Sequence, residues 1–410
     1  MINSFSKVII FCLLLFSVFF SGCAKPSVSE EKLIEYYEIN KLNCLTTLKP
    51  HMYSDLENER KELFKIVHLS DAHLSPWSNG NNTKNPYNLK EAVLFANDTA
   101  TKTNVMVATG DHISQTMRTT SHDALSYLKI FSNTLFLDNK IPAFTSTGNH
   151  DPNMLNPDHP EYALSKSDLY TNLTAHINHP FYSEGLENYY YADLPNPMGG
   201  VIRIIALDVT DQENRKYSVQ HNAILSQKQI DWLCNTALKK NMTESHSVII
   251  LVHHPLPPDR EEAVRGIVYN EFLHEWNMIP EIVETFRTKQ SLSRKYGNKL
   301  NVADSITVDV SFVDSPGEFV CYLGGHLHTY LHYEVRSSSD PALPNQLMII
   351  ANNMSPSEKS ETTPIQRYDT GLRNNTFNIY ALDTNRKVIY VTFFGATSFY
   401  YQQVITLRYL

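Results

Sequence analysis

Five short clusters of oxygen- and nitrogen-bearing side chains recur along the chain, each of a kind that could hold a metal ion. They are Asp71-Ala72-His73, Gly110-Asp111, Gly148-Asn149-His150-Asp151, His253-His254-Pro255 and Gly324-Gly325-His326-Leu327-His328. In extended chain, residues i and i+2 project to the same side, so one ion can take both Asp71 and His73, or both His326 and His328. Asn149 is an unusual but competent neutral oxygen ligand. The donors Asp71, His73, Asp111, Asn149, His253, His326 and His328 offer carboxylate, amide and imidazole atoms and no thiolate. Such a set suits Fe, Zn or Mn rather than a closed structural zinc site. Seven donors are too many for one tetrahedral ion and match two ions that share a bridging carboxylate. Each cluster alone is more often a satisfied core histidine or a cap. Five in succession, each at a strand end, are not.

The elements that must position them are short apolar runs, each stopping at one cluster: Phe64 to Leu69, Val105 to Thr109, Ile141 to Thr147, Val248 to Val252 and Phe319 to Leu323. Runs of about 4–8 apolar or β-branched residues bounded by turn signals read as buried strands. Further strands are expected over Val201 to Val209, Leu347 to Ala351, Phe377 to Leu382, Val388 to Phe394 and Val404 to Tyr409. Helical patterns lie between several of them, at Leu89 to Ala100, Leu125 to Leu135 and Ser226 to Lys240. In the last, Ser226 and Gln229 have capping-box spacing. Strand–helix alternation implies an α/β layer architecture, and open α/β sheets gather ligands at the carboxyl ends of their strands. Pro255 to Pro316 reads as an insertion over the strand tips that shapes substrate access.

The ordered set Asp71-x-His73, Gly110-Asp111, Gly148-Asn149-His150-Asp151, His253 and Gly325-His326-x-His328 resembles the calcineurin-like metallophosphoesterase superfamily. The resemblance implies an α/β fold, a four-layer αββα sandwich with two mixed β-sheets. By matching positions, it implies that Asp71, His73, Asp111 and His328 hold a first metal. Asp111, Asn149, His253 and His326 would hold a second, with Asp111 bridging. It places His150 near the substrate's phosphate and leaving group. The implied activity is hydrolysis of phosphate mono- or diesters by attack of a metal-bridging hydroxide, with Asp111 and His150 the catalytic pair. The physics agrees: paired ions lower the pKa of bound water and clamp both oxygens of an in-line displacement. They also neutralise the phosphate's own charge, which repels hydroxide. His150 is the right type to protonate a departing alkoxide. Asp151 either orients His150 or is a solvated turn acid. Ser114 stands where purple acid phosphatases carry a tyrosine ligand, which argues against a ferric–tyrosinate site. The alternative to an enzyme is a catalytically inactive metal- or phosphate-binding surface lipoprotein, a receptor or scaffold. An intact donor set argues for catalysis.

Composition bounds the rest. In 410 residues, Lys+Arg is 35 and Asp+Glu 43, a formal charge of −8, with 42% hydrophobic residues. That is a globular balance, and it excludes a mostly disordered chain. It gives no whole-chain attraction to nucleic acid, so no nucleic-acid partner is indicated, and phosphate recognition must be local. Val8 to Phe20 is apolar but shorter than the roughly 20 residues of a spanning helix, which fits a secretory segment. Ser21-Gly22-Cys23 follows and resembles a bacterial lipobox. The expectation is an exported protein with a signal peptide over 1–22 and a linker over 23–62. Lipid on Cys23 would tie it to a membrane of the cell envelope, with secretion the alternative. The charge-rich linker reads as a leash with a short helix around Leu33 to Leu45, ahead of one domain over 63–410 with its insertion at about 256–316. Cys44, Cys234 and Cys321 read as buried or free thiols, with one disulfide possible. His68, His112 and His254 read as packing residues, Arg118 as a solvated loop cation, and Tyr189 to Tyr191 as strand and core.

Overall fold

Apolar runs with no polar alternation must bury both faces, and that requirement sets the layers. The computed structural model describes residues 30–56, 59–75, 85–212, 222–258, 275, 277–297, 305–335, 346–354, 375–399 and 403–409. In chain order the strands are β1 Tyr53–Leu56, β2 Glu59–Glu62, β3 Phe64–Leu69, β4 Val105–Thr109, β5 Ala143–Ser146, β6 Tyr190–Pro195, β7 Val201–Ala206 and β8 His246–Leu251. There follow β9 Ser291–Tyr296, β10 Ile306–Ser311, β11 Glu318–Gly324, β12 Leu331–Val335, β13 Gln346–Ile350, β14 Thr376–Asp383, β15 Val388–Gly395 and β16 Ile405–Arg408. The helices are α1 Glu30–Leu48, α2 Asn85–Asn97, α3 Ser121–Ser132, α4 Lys166–Asn172, α5 Gln227–Trp232 and α6 Met278–Thr288.

Two six-stranded sheets form, ordered β12-β13-β11-β8-β7-β6 and β16-β15-β14-β3-β4-β5. Both are mixed: β3, β4 and β5 run parallel in one, and β13, β11, β8 and β7 in the other, with antiparallel strands at the flanks. Side chains alternate between faces with period two. Ile66, Val105, Val107, Ile204, Ile249, Leu251 and Ile349 meet between the sheets. Val67, Met106 and Ala108 face the layer of α1, α2 and α3, while Val248, Ile250 and Met348 face that of α5 and α6. Three apolar cores separate four layers, the αββα sandwich that the motifs imply.

One expectation needs correction. The leash is folded from Glu30 onward: α1 buries Tyr37, Asn40, Cys44, Leu45 and Leu48 at three- and four-residue spacing, and the Tyr37 ring lies 6.0 Å from Phe394. Its exposed Glu and Lys residues hide that stripe from a reading by composition. The lipobox at Cys23 and residues 23–29 lie outside the described residues. The described part of the 256–316 insertion covers the outer face of its sheet, burying Ile279, Ile282, Phe286, Tyr296 and Val308, and residues 259–274, 276 and 298–304 lie outside the described residues. Cys44, Cys234 and Cys321 are all buried free thiols, as their spacing suggested, and no disulfide joins them.

The Ser226–Lys240 helix is shorter than its pattern. After α5 the chain widens into a π turn over Leu233–Ala237. The Ser226 hydroxyl caps α5 by accepting from Gln229 N at 3.0 Å. Gln229 does not close the box. Its Oε1 accepts from Asp208 N at 2.8 Å and its Nε2 donates to Asp208 O at 2.9 Å, so it holds the chain beyond β7 instead.

Candidate metal centre

All five clusters sit at the carboxyl ends of parallel strands. Asp71 and His73 follow β3, Asp111 follows β4 and Asn149 follows β5, in one sheet. His253 follows β8 and His326 and His328 follow β11, in the other. The donors converge across the seam between the sheets.

The local backbone differs from extended chain. Asp71, His73, Asp111, His326 and His328 have φ of 53°, 46°, 52°, 72° and 54°. This left-handed region costs a non-glycine residue about 1–2 kcal/mol, and here it is concentrated on metal-capable side chains, where strained backbone tends to serve function. The i,i+2 pairs therefore share a site through tight turns rather than through strand alternation. Asp71 N donates to Gly110 O at 3.2 Å and His73 N to Asp111 O at 3.0 Å, which ties the first two turns together. Glycine is required where turns touch. A Cβ on Gly148 would lie 2.3 Å from Asp111 N, and one on Gly325 1.8 Å from Ser70 Oγ.

Asp111 is the hub. Its Oδ1 accepts from His150 N at 2.9 Å, while its Oδ2 lies 3.2 Å from His253 Nε2, 3.8 Å from His150 Nε2 and 3.9 Å from His73 Nε2. Asp71 Oδ1 lies 3.4 Å from His328 Nε2 and 3.8 Å from His73 Nε2, and both Asp71 oxygens accept from His326 N. Asn149 Oδ1 is 3.2 Å from His253 Nε2 and 3.0 Å from His326 Nδ1. The ligand atoms of Asp71, His73 and His328 lie within 4.8 Å of one another, as do those of Asp111, His253 and His326. A third such group joins His73, Asp111 and His150.

The electrostatics fit a bound cation. Burial disfavours charge on Asp111, but His253 and His150 hold its carboxyl well below the usual range. Burial likewise disfavours charge on His253, yet the Asp111 carboxylate raises it to about 10. Burial, and next His150 and His328, push His73 down to about 3, leaving a neutral imidazole with a lone pair to give. His253 Nδ1 lies 2.6 Å from the Thr109 carbonyl, which can only accept, so Nδ1 carries a hydrogen and Nε2 is the atom turned toward Asp111. Such outer contacts fix the ring and tautomer of metal-bound histidines.

His150 is positioned by a group that its sequence neighbourhood does not reveal. Its Nδ1 accepts from the backbone N–H of Gln115 at 3.4 Å, which leaves the hydrogen on Nε2. Asp151 does not hold this ring. Its Oδ1 accepts from His112 N at 2.7 Å and its Oδ2 from Gly148 N at 2.7 Å, so it ties the second and third turns together. It is fully buried rather than a solvated turn acid. Thr109 and Gln115 act through main-chain atoms, which side-chain identity does not signal; only their adjacency to Gly110-Asp111 could have marked them.

His68, His112 and His254 pack. His68 bridges Tyr380 and Thr109 at 2.8 Å each, and burial pushes it down to about 3. His112 stacks 4.0 Å from Phe131 and bonds Thr145 Oγ1 at 2.7 Å. His254 stacks on His326 at 4.4 Å. Arg118 is exposed, and Tyr189 to Tyr191 are buried.

Fold and site together define a two-sheet α/β protein with a metal-type donor set at its strand ends. The chain belongs to the calcineurin-like phosphoesterase family, whose sequence profile matches residues 64–330, a span that contains every candidate ligand. Among curated proteins, none matches the chain significantly.

Proposed function

We propose that this protein is a metal-dependent phosphoesterase hydrolysing phosphate mono- or diesters, exported and held at a membrane of the cell envelope through lipid on Cys23. The observation that carries the catalytic reading is Asp111 Oδ2, one carboxylate oxygen facing imidazoles from both sheets. Asp71, His73, Asp111 and His328 would hold one ion, and Asp111, Asn149, His253 and His326 the other. The ions would be divalent or trivalent Fe, Zn or Mn. When bound, the pair supplies activated water and neutralises charge on the phosphate. The chain's own groups do the rest. Thr109 O fixes the His253 ring, and Asp71 holds the turn of His326 through its amide. His150 presents Nε2–H to the phosphate or to the leaving oxygen, and Gln115 N–H keeps Nδ1 free of a proton. An acyl group on Cys23 would hold the catalytic layers outside the cell.

The test is a panel of nitrophenyl mono- and diesters, nucleotides, cyclic nucleotides and phospholipid headgroups, offered to chelated and metal-reconstituted protein. Metal-dependent turnover of at least one ester class is expected; equal rates with and without metal across the panel would refute the reading. For the membrane part, Cys23→Ser should release the protein from the membrane fraction or stall its processing, with the domain still active. A soluble wild type lacking acyl mass on Cys23 would remove the anchor and leave the catalysis untouched.

A further inference from the structure

The donors of the second site come from different sheets, so something must hold the end of β5 against the end of β8. Asn149 follows β5, the edge strand of its sheet, while His253 and His326 belong to the other sheet. Thr147, two residues before Asn149, forms an isolated parallel bridge with Asp208, which follows β7. The Thr147 hydroxyl donates to Asp208 Oδ1 at 2.5 Å, and both residues are buried. Asp208 is itself held at Oδ1 and at both backbone groups. Its Oδ1 also accepts from Thr210 N at 2.8 Å and Thr210 Oγ1 at 2.7 Å, and Gln229 brackets its backbone N–H and C=O. A second link lies one turn earlier on β5. Tyr190 of β6 donates its hydroxyl to Thr145 O at 2.6 Å and accepts from Thr145 N at 2.8 Å.

The first site does not use β5. Its own part of the seam is closed elsewhere, by the amide of His326 on Asp71 and by the Ser70–Asn353 bridge. We propose that Asp208, acting through Thr147, is a positioning residue that sets Asn149 against His253 and His326 and so governs the second metal site selectively. The inference rests on the two-metal reading above. Asn149 is a neutral donor and binds weakly by charge, so its contribution depends on being held in place. Buried hydroxyl–carboxylate bonds are short and strong, and they convey the rigidity of one sheet to the other.

Thr147→Val removes the hydroxyl with little change of shape. The experiment titrates chelated full-length protein with Mn(II), read by calorimetry and by electron paramagnetic resonance, which separates a lone Mn(II) from an exchange-coupled pair. In Thr147→Val the first Mn(II) should bind within about 2-fold of wild type, while the second weakens about 10–100-fold, the range seen when an outer-shell partner is lost. Thr147→Ser keeps the hydroxyl and should restore both affinities. Thr147→Ala provides a second removal should the valine variant fail to fold, as judged by circular dichroism. Unchanged second-site affinity in a folded removal variant, or equal weakening of both sites, overturns the proposal. Wild type binding fewer than two Mn(II) per chain would instead refute the two-metal reading itself.

Discussion

Asp111→Asn is expected to lose bound metal and turnover together. Asparagine keeps an oxygen that can accept from His150 N, the role of Oδ1 in the native turn. It then puts an NH2 group where Oδ2 faces His253, His150 and His73. An amide nitrogen is a donor with no lone pair to offer, and it would face His253 and His73, the imidazoles proposed as ligands. The backbone should survive, while the oxygen proposed to be shared by both ions is gone. We expect metal content, measured by plasma mass spectrometry on the reconstituted protein, to fall below two ions per chain. The expected fall in kcat is at least about 10²–10³-fold, the scale of losing one major electrostatic stabiliser. Two retained metals at wild-type rates would sink the assignment of Asp111 as the bridge.

His150→Ala separates binding from chemistry. His150 Nε2 stands 3.8 Å from Asp111 Oδ2 and its ring meets His73 edge-on at 4.8 Å, so it borders both proposed sites. If it delivers a proton to the leaving oxygen, kcat should fall about 10²–10⁴-fold for alkyl esters. The loss should be much smaller for nitrophenyl esters, whose leaving group departs without help. Metal content should stay at the wild-type value. An equal loss on both substrate classes would count against proton delivery, and depleted metal would make His150 a ligand, as its grouping with His73 and Asp111 allows.

How much was legible in advance follows from what side chains can signal. The candidate donors were readable because their chemistry is written in residue type, and the structure gathers them at the five strand ends. The strands were readable as apolar runs because both faces are buried; for the same reason, alternation could not say which face was which. Sheet order was not readable, since it depends on pairing between distant segments such as Tyr380 with Ile66. The left-handed φ at Asp71, His73, Asp111, His326 and His328 falls on non-glycine residues whose type does not announce it. Nor could residue type show that Thr109 and Gln115 act through main-chain atoms. Charge on α1 concealed its buried stripe, and Asp151 looked like a partner for its neighbour when its carboxylate serves amides in two turns.

The split of the centre between sheets also dictates when it can come into being. His73 and His328 are 255 residues apart in sequence, and His326 reaches Asn149 across 177. Closing loops of that length is entropically costly before any contact offsets it, and non-local contacts form slowly. A nascent chain offers only isolated Asp-x-His or His-x-His pairs, too few to chelate firmly. An ion therefore cannot template the early steps of folding. A bound ion would meet a scaffold already assembled and act as a rivet between two finished layers, drawing the population toward the native state by mass action alone.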